Sequence, residues 1–329
     1  MITRPHLLSY WVGAASRIVI GALCAAPAYA QEDFPAGKPI EMTVLFPAGS
    51  SADVTARVLA DGMSKQLNTN VLVVNRPGAG GAIGYKYVAQ QSANGHHLVW
   101  NSNSISTTYH GGMMPLDYRA FDAVARVLVE TPLLVVKADA TWKDLRELVA
   151  YAKTNPGTVT VGNSGAGSHT HFSAAMLFKA AGVSVIDVPF GAAQVVPSVL
   201  GGHVNCAMQL PGALATHVRS GSMRILAALS RQRDAAFADV PTASEQGVPV
   251  VADAWRGIAV PKGTPKAVIA KLENAIRRTV ASAEFVKASD SLSVTPAFLG
   301  AQQFTALIAR EDAELAQVMQ ALGLKKITQ

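Results

Sequence analysis

The sequence predicts an α/β protein of two lobes, each a mixed β-sheet flanked by helices, with a ligand cleft between them. Three observations carry this. Short β-rich runs alternate with helical patterns along most of the chain, the signature of α/β layers. The 329 residues exceed what one hydrophobic core comfortably serves, so two domains are expected. Finally, the chain ends in two amphipathic helices with no large set of strands beside them, so they must cover a sheet formed earlier.

In chain order, residues 40–46 and 71–75 read as the first two strands and 97–100 as a third. Between the first two, residues 53–67 have helical spacing, with Val54, Val58, Leu59 and Met63 on one side. A new set of strands begins near residues 133–137 and continues at 159–161, 185–188, 204–208 and 225–229. Helices are expected between them at 142–154, 170–181, 193–200 and 211–220. Thr264 is placed to cap, and Pro265 to open, a helix in which Val268, Leu272, Ile276 and Val280 recur every four residues. A last helix is expected over 301–322, with Phe304, Leu307, Ile308, Leu315, Val318, Met319 and Leu322 on one stripe. The return to the first lobe falls near residues 252–259. The lobes are therefore expected to comprise 31–131 plus 253–329 and 132–252.

The first thirty residues read as a signal peptide. Their only charges are Arg4 and Arg17, residues 18–26 are apolar but too short for a stop-transfer span, and Ala28-Tyr29-Ala30 is a small-x-small cleavage site. Cleavage after Ala30 implies export to the periplasm. Leu23 before Cys24 argues against a lipid anchor, and Cys206 is then the only cysteine of the mature chain, so no internal disulfide is expected. Cys206 lies in an apolar run and reads as a small buried hydrophobe. Losing Arg4 and Arg17 takes the formal charge from +6 to +4. That mild charge has no basic run and no basic-aromatic interleaving, which leaves nucleic-acid binding without support. It would steer small anions toward a cleft.

Two loops carry the candidate chemistry. Phe46-Pro47-Ala48-Gly49-Ser50-Ser51-Ala52-Asp53 joins a strand to a helix, and a helix start offers unpaired N–H groups with partial positive charge. An ordinary capped turn, with Ser50 or Ser51 as N-cap, accounts for the same residues. Asp53 would hold the loop and complement the helix dipole; it is a poor direct partner for a carboxylate. The second loop, Gly162-Asn163-Ser164-Gly165-Ala166-Gly167-Ser168-His169-Thr170, stands at the same kind of junction in the other lobe. Facing one another, two such starts would bind an anion without a lysine or arginine, since neither loop contains one. Four or five hydrogen bonds to a charged group, about 1.5–3 kcal/mol each, suffice for micromolar affinity.

Other classes find less support. Gly78, Gly80 and Gly84 imitate a dinucleotide loop, but no acid follows before Asp117 to hold a ribose, and no cofactor is expected. Gly162-Asn163-Ser164-Gly165-Ala166 breaks the nucleophile-elbow pattern at its last position, and no acid lies between Glu147 and Asp187 to orient His169 or His171. An exported hydrolase would need such an acid. His96 with His97, and His169 with His171, are wrongly spaced for metal ligands on one face. Trp255-Arg256 is compatible with a hinge contact, a partner contact, or a packed aromatic beside a surface charge.

Taken together, the ordered motifs resemble the tripartite tricarboxylate transporter substrate-binding proteins, the Bug or TctC family. They run from Val44-Leu45-Phe46-Pro47-Ala48-Gly49 with Asp53 and Arg57, through Val73-Val74-Asn75-Arg76-Pro77-Gly78-Ala79-Gly80-Gly81, to the second loop with His171. Val188-Pro189-Phe190, Leu200-Gly201-Gly202-His203-Val204, Asp239-Val240-Pro241-Thr242, Trp255-Arg256-Gly257 and Pro261-Lys262-Gly263-Thr264-Pro265 complete the set. The resemblance implies a periplasmic binding protein fold, no catalysis, and a ligand carboxylate held by loop N–H groups, hydroxyls and waters. It points to Phe46, Ala48, Gly49, Ser50, Ser51 and Asp53, then Gly80, Gly81, Ser102 and Asn103. In the other lobe it points to Ser164, Gly165, Gly167, Ser168 and His169, with Phe190 and Gln209. It implies as partners a small organic carboxylate and integral membrane transporter subunits; a monomer is expected. A periplasmic sensor presenting the ligand to a signalling receptor is the alternative. Ser50 stands where the family usually has a second glycine, and Phe190-Gly191-Ala192 where Tyr-Lys-Gly is typical. Gln209 stands where an acid is frequent, which tilts the expected ligand toward a di- or tricarboxylate over an amino acid.

Overall fold

The computed structural model describes residues 1, 2 and 34–324; the expected signal segment and its cleavage site lie outside the described residues. The first strand, β1 (Ile40–Val44), leads into α1 (Ser51–Leu67), β2 (Val71–Asn75), α2 (Ala82–Ala89), β3 (His97–Ser102), α3 (Ser104–His110) and β4 (Phe121–Glu130). A second series follows: β5 (Leu133–Lys137), α4 (Leu145–Thr154), β6 (Thr160–Asn163), α5 (His169–Ala180), β7 (Ile186–Pro189), α6 (Val195–Leu200), β8 (Cys206–Gln209), α7 (Pro211–Arg219) and β9 (Met223–Ala228). The chain closes with β10 (Ala254–Pro261), α8 (Lys266–Val280), α9 (Ala283–Leu292), β11 (Thr295–Gly300) and α10 (Ala301–Ala321).

These strands form two mixed sheets. One has the order β11-β4-β10-β3-β1-β2, the other β7-β6-β8-β5-β9. In the first, β1 runs parallel to β2 and β3, whereas β10 is antiparallel to β3 and β4. In the second, β6 is parallel to β7 and β8, and β5 is antiparallel to β8 and β9. The β4–β5 connection is residues 131–132, and the return runs from β9 to β10. β10 is buried along its whole length, as expected for a strand sandwiched between two neighbours and covered by helices.

Most expected elements are present, with instructive differences. The return segment is a full central strand, β10. The sequence does not predict β4 or β11; α8 and α10 both pack on β4, and its burial does not follow a clean two-residue alternation. Thr264 does not cap α8. Its Oγ1 donates instead to the Pro261 carbonyl, 2.8 Å away, and Pro265 takes the N-cap position without a side-chain bond. The first sheet has one core cluster, whereas the second has two, with Leu134 and Met208 in one and Leu133, Val135 and Leu214 in the other. Met42, Trp100 and Ile258 anchor the first, while Leu134, Leu177 and Met208 anchor a cluster in the second. Cys206 is fully buried, and burial pushes its thiol up to about 12. Among the described residues no helix is long and apolar enough to cross a membrane.

Candidate functional site

The first loop is held by its own side chains. Ser50 is the N-cap of α1, and its Oγ accepts from the Asp53 N–H at 3.3 Å. Gly49 adopts φ +78°, a conformation that favours glycine, and this turns its N–H onto Asp53 Oδ2 at 3.0 Å. Asp53 also accepts from Arg57 Nη2 (2.8 Å) and Asn75 Nδ2 (2.9 Å). Burial alone would raise the Asp53 pKa, but these hydrogen bonds together hold it below the usual range. Asp53 is therefore a brace of the loop. Ser51 Oγ donates to Glu130 at the end of β4. The Ser51 and Ala52 N–H groups have no protein acceptor among the described residues.

The second loop is braced in the same manner. Ser168 is the N-cap of α5 and accepts from the His171 N–H at 3.2 Å. The Ser164 N–H donates to Thr170 Oγ1 (2.9 Å), Gly165 to Asn163 Oδ1 (3.0 Å) and Gly167 to His171 Nδ1 (3.3 Å). Only the Ala166, His169 and Thr170 N–H groups of this loop lack an acceptor among the described residues. His169 is buried and donates from Nε2 to the Ala252 carbonyl at 2.8 Å. Asp187 does approach His171, with Oδ2 3.5 Å from Nε2. Because His171 Nδ1 already accepts from Gly167, the ring keeps no nitrogen for activating a serine.

The two lobes meet around the glycine loop that follows β2. Gly78, Ala79, Gly80 and Gly81 all have positive φ (133°, 47°, 65° and 115°), which aims their backbone across the gap. A side chain at Gly80 would lie 2.8 Å from the Ala166 carbonyl oxygen. Nearby, Thr107 Oγ1 donates to the Gly167 carbonyl at 2.6 Å. At the other end of the contact, a Cβ on Gly212 at the start of α7 would lie 2.5 Å from Ser51 Oγ. Beside the Gly80–Ala166 contact is a cavity of about 580 Å³, walled by Phe46, Pro47, residues 77–81 and Met113 from one lobe and by residues 164–166, 190–192 and Gln194 from the other. The Ala79, Gly80, Ala166, Gly191 and Ala192 N–H groups in this wall have no protein acceptor among the described residues.

The residues singled out in the sequence fall into three places. Phe46, Gly80, Gly81, Ser164, Gly165 and Phe190 line the cavity. Ala48 and Gly49 are exposed beside it. Ser50, Ser51, Asp53, Ser102, Asn103, Gly167, Ser168, His169 and Gln209 are not in its lining, and most are bound to other protein groups. Ser102 Oγ accepts from the Ser104 N–H at 3.2 Å, and Asn103 bridges the Trp255 N–H and Glu311. Gln209 stands one layer back: Nε2 donates to the Ala192 carbonyl (3.3 Å), and Oε1 accepts from the Leu210 N–H (2.9 Å) and Ser164 Oγ (3.4 Å). The sequence does not single out Ala79, Met113, Ala166 or Gln194 as ligand contacts, whereas Gly191 and Ala192 stand out there as a departure from the family pattern, and both line the cavity. Only the clustering of small residues near Gly80 and Gly165 signals the first and third; Met113 carries no local signal.

Two α/β lobes joined through adjacent strands, with a cavity between them walled by backbone amides, define a solute-binding receptor of the periplasmic binding protein class. The family described as tripartite tricarboxylate transporter family receptor, TctC, matches residues 55–324, and the chain belongs to it. It is 34% identical over 307 residues to Protein BugT of Bordetella pertussis, covering 92% of this chain and 94% of that one. A TctC solute-binding protein from Polaromonas, solved with no ligand, is 32% identical and superimposes with a TM-score of 0.66, covering 88% and 99% of the two chains. MatC from Rhodopseudomonas palustris, solved with bound malate, is 25% identical with a TM-score of 0.79, covering 85% and 98%. The family is one of transporter receptors, and the protein is a binding protein, not an enzyme.

Proposed function

We propose that the protein captures a small di- or tricarboxylate in the periplasm and delivers it to the integral membrane subunits of a tripartite tricarboxylate transporter. The observation that carries this reading is the interlobe cavity of about 580 Å³, whose walls carry unpaired backbone N–H groups from both lobes. No lysine or arginine lines it. Amides of this kind suit a carboxylate, which accepts several charge-assisted hydrogen bonds at once. The volume matches a ligand of a few carbons with its waters. Malate in MatC supports the ligand class.

The lobes, 31–131 plus 253–329 and 132–252, move as bodies that close over the ligand. The chain superimposes more closely on the malate-bound relative than on the unliganded one, which supports an arrangement like that of the liganded protein. Phe46 and Phe190 supply the apolar surface, and Gln209 fixes Ser164 and Ala192 in the wall. The N-terminal thirty residues serve for export.

A thermal-shift screen of organic acids, followed by calorimetry, tests the reading. A ligand that binds only the folded state raises the melting temperature, by the equivalent of about 2.7 kcal/mol at a hundredfold excess over Kd. Malate, succinate or citrate should do so. Tight binding of a zwitterionic amino acid, with none of any di- or tricarboxylate, would overturn it.

A further inference from the structure

The cavity wall holds no cation, yet a buried arginine stands behind it. Arg256, 4% exposed, lies near the start of β10, and its Nε donates at 2.8 Å to Glu130, the last residue of β4, which is 2% exposed. These are the ends of the two strands from which the chain passes to and from the other lobe. Glu130 uses its second oxygen to accept from Ser51 Oγ, in the first turn of α1. The guanidinium sits 5.8 Å from the centroid of the Phe46 ring, whose other surroundings include the cavity. No other acceptor engages Arg256 among the described residues.

A carboxylate is thus already resident at the start of α1, where the helix dipole favours negative charge. A ligand carboxylate entering the cavity brings a second negative charge to the same neighbourhood. Two like charges in a water-poor interior disfavour one another unless a cation offsets one of them. Arg256 is the cation placed to do so. We propose that Arg256 is a positioning residue for ligand binding: by neutralising Glu130 it holds Ser51 and the first loop in place while leaving the cleft receptive to an incoming carboxylate. This rests on the carboxylate-binding function proposed above. It also assigns the site a cation, one layer behind the wall, that neither binding loop supplies.

The prediction is one of opposite signs. In Glu130→Gln the amide oxygen still accepts from Arg256 and the amide nitrogen donates to Ser51 Oγ, but the negative charge is gone, so a dicarboxylate should bind about threefold to tenfold more tightly. Arg256→Met leaves Glu130 uncompensated and should weaken binding at least about tenfold. The double variant should return to within about threefold of the original protein, and Arg256→Lys should rescue most of the loss. A purely structural ion pair predicts weaker binding in both single variants.

The measurement is calorimetry with malate and succinate as probes on the intact mature protein and all four variants. Opposite signs with recovery in the double variant support the inference. Unchanged affinity in the variants, or loss in Glu130→Gln, overturns it while leaving the carboxylate-binding function standing. If the original protein binds neither these nor any other di- or tricarboxylate, the function fails and this inference with it. Should Arg256→Met not fold, Glu130→Gln and Arg256→Lys still decide the sign.

Discussion

At the scale of single residues, His169 has the most readable consequence. Burial, outweighing the hydrogen bond to Ala252, pushes its pKa down to about 4, against about 6.5 when unfolded. The folded state thus prefers the neutral ring. Its contribution is fully present above pH 6.5 and is lost as pH falls toward 4, a loss of about 3 kcal/mol. Chemical denaturation between pH 7 and 4 should show this decline, and His169→Gln, which can still donate to Ala252, should flatten that part of the profile. Asp53 behaves in the same direction at lower pH. Held below the usual carboxylate range, it stabilises the fold above its unfolded pKa and ceases to do so as pH falls through its depressed folded value. Replacing Asp53 by Ala leaves the Gly49 N–H without its acceptor and frees Arg57 and Asn75. Denaturant unfolding should record a loss of about 1–3 kcal/mol.

Among the elements, the contacts between lobes give the sharpest test of closure. Gly80 has φ +65° and faces the Ala166 carbonyl, and Gly212 at the start of α7 faces Ser51. Gly212→Val should weaken carboxylate binding more than tenfold while the melting temperature of the ligand-free protein changes little. The clash lies between lobes rather than within either core, and calorimetry beside calorimetric melting separates the two effects. The elements also show where sequence reasoning stops. Strands β1, β2, β3 and β5 to β9 are legible as short, largely apolar runs between turn signals. β4 is not, because helices on its face and strands on both edges erase its alternation. The two strand–helix loops are legible as helix starts, since Ser50 and Ser168 are N-caps. Which of their amides remain unpaired is not, because the acceptors Asp53, Asn163, Thr170 and His171 are chosen by side-chain geometry. Met113 comes from a distant loop and meets Gly167 only when both lobes are assembled.

For the whole molecule, the proposed function requires two bodies to close on one small anion. On the proposed function, the chain's modest positive charge steers the anion and backbone amides then hold it. Small-angle scattering on the mature protein should show a more compact particle when a saturating dicarboxylate is added, and no such change with a neutral analogue of equal size. A membrane subunit that recognises the closed form would read this change.

The central claim is that backbone N–H groups from both lobes share the ligand carboxylates without direct cationic contact. A crystal structure of the complex with the tightest-binding dicarboxylate tests it most directly. The expected result is carboxylate oxygens about 3 Å from at least one backbone nitrogen on each side, drawn from residues 79–80 and from 166 or 191–192. A ligand gripped by lysine or arginine side chains, or lying outside the interlobe cavity, would contradict it.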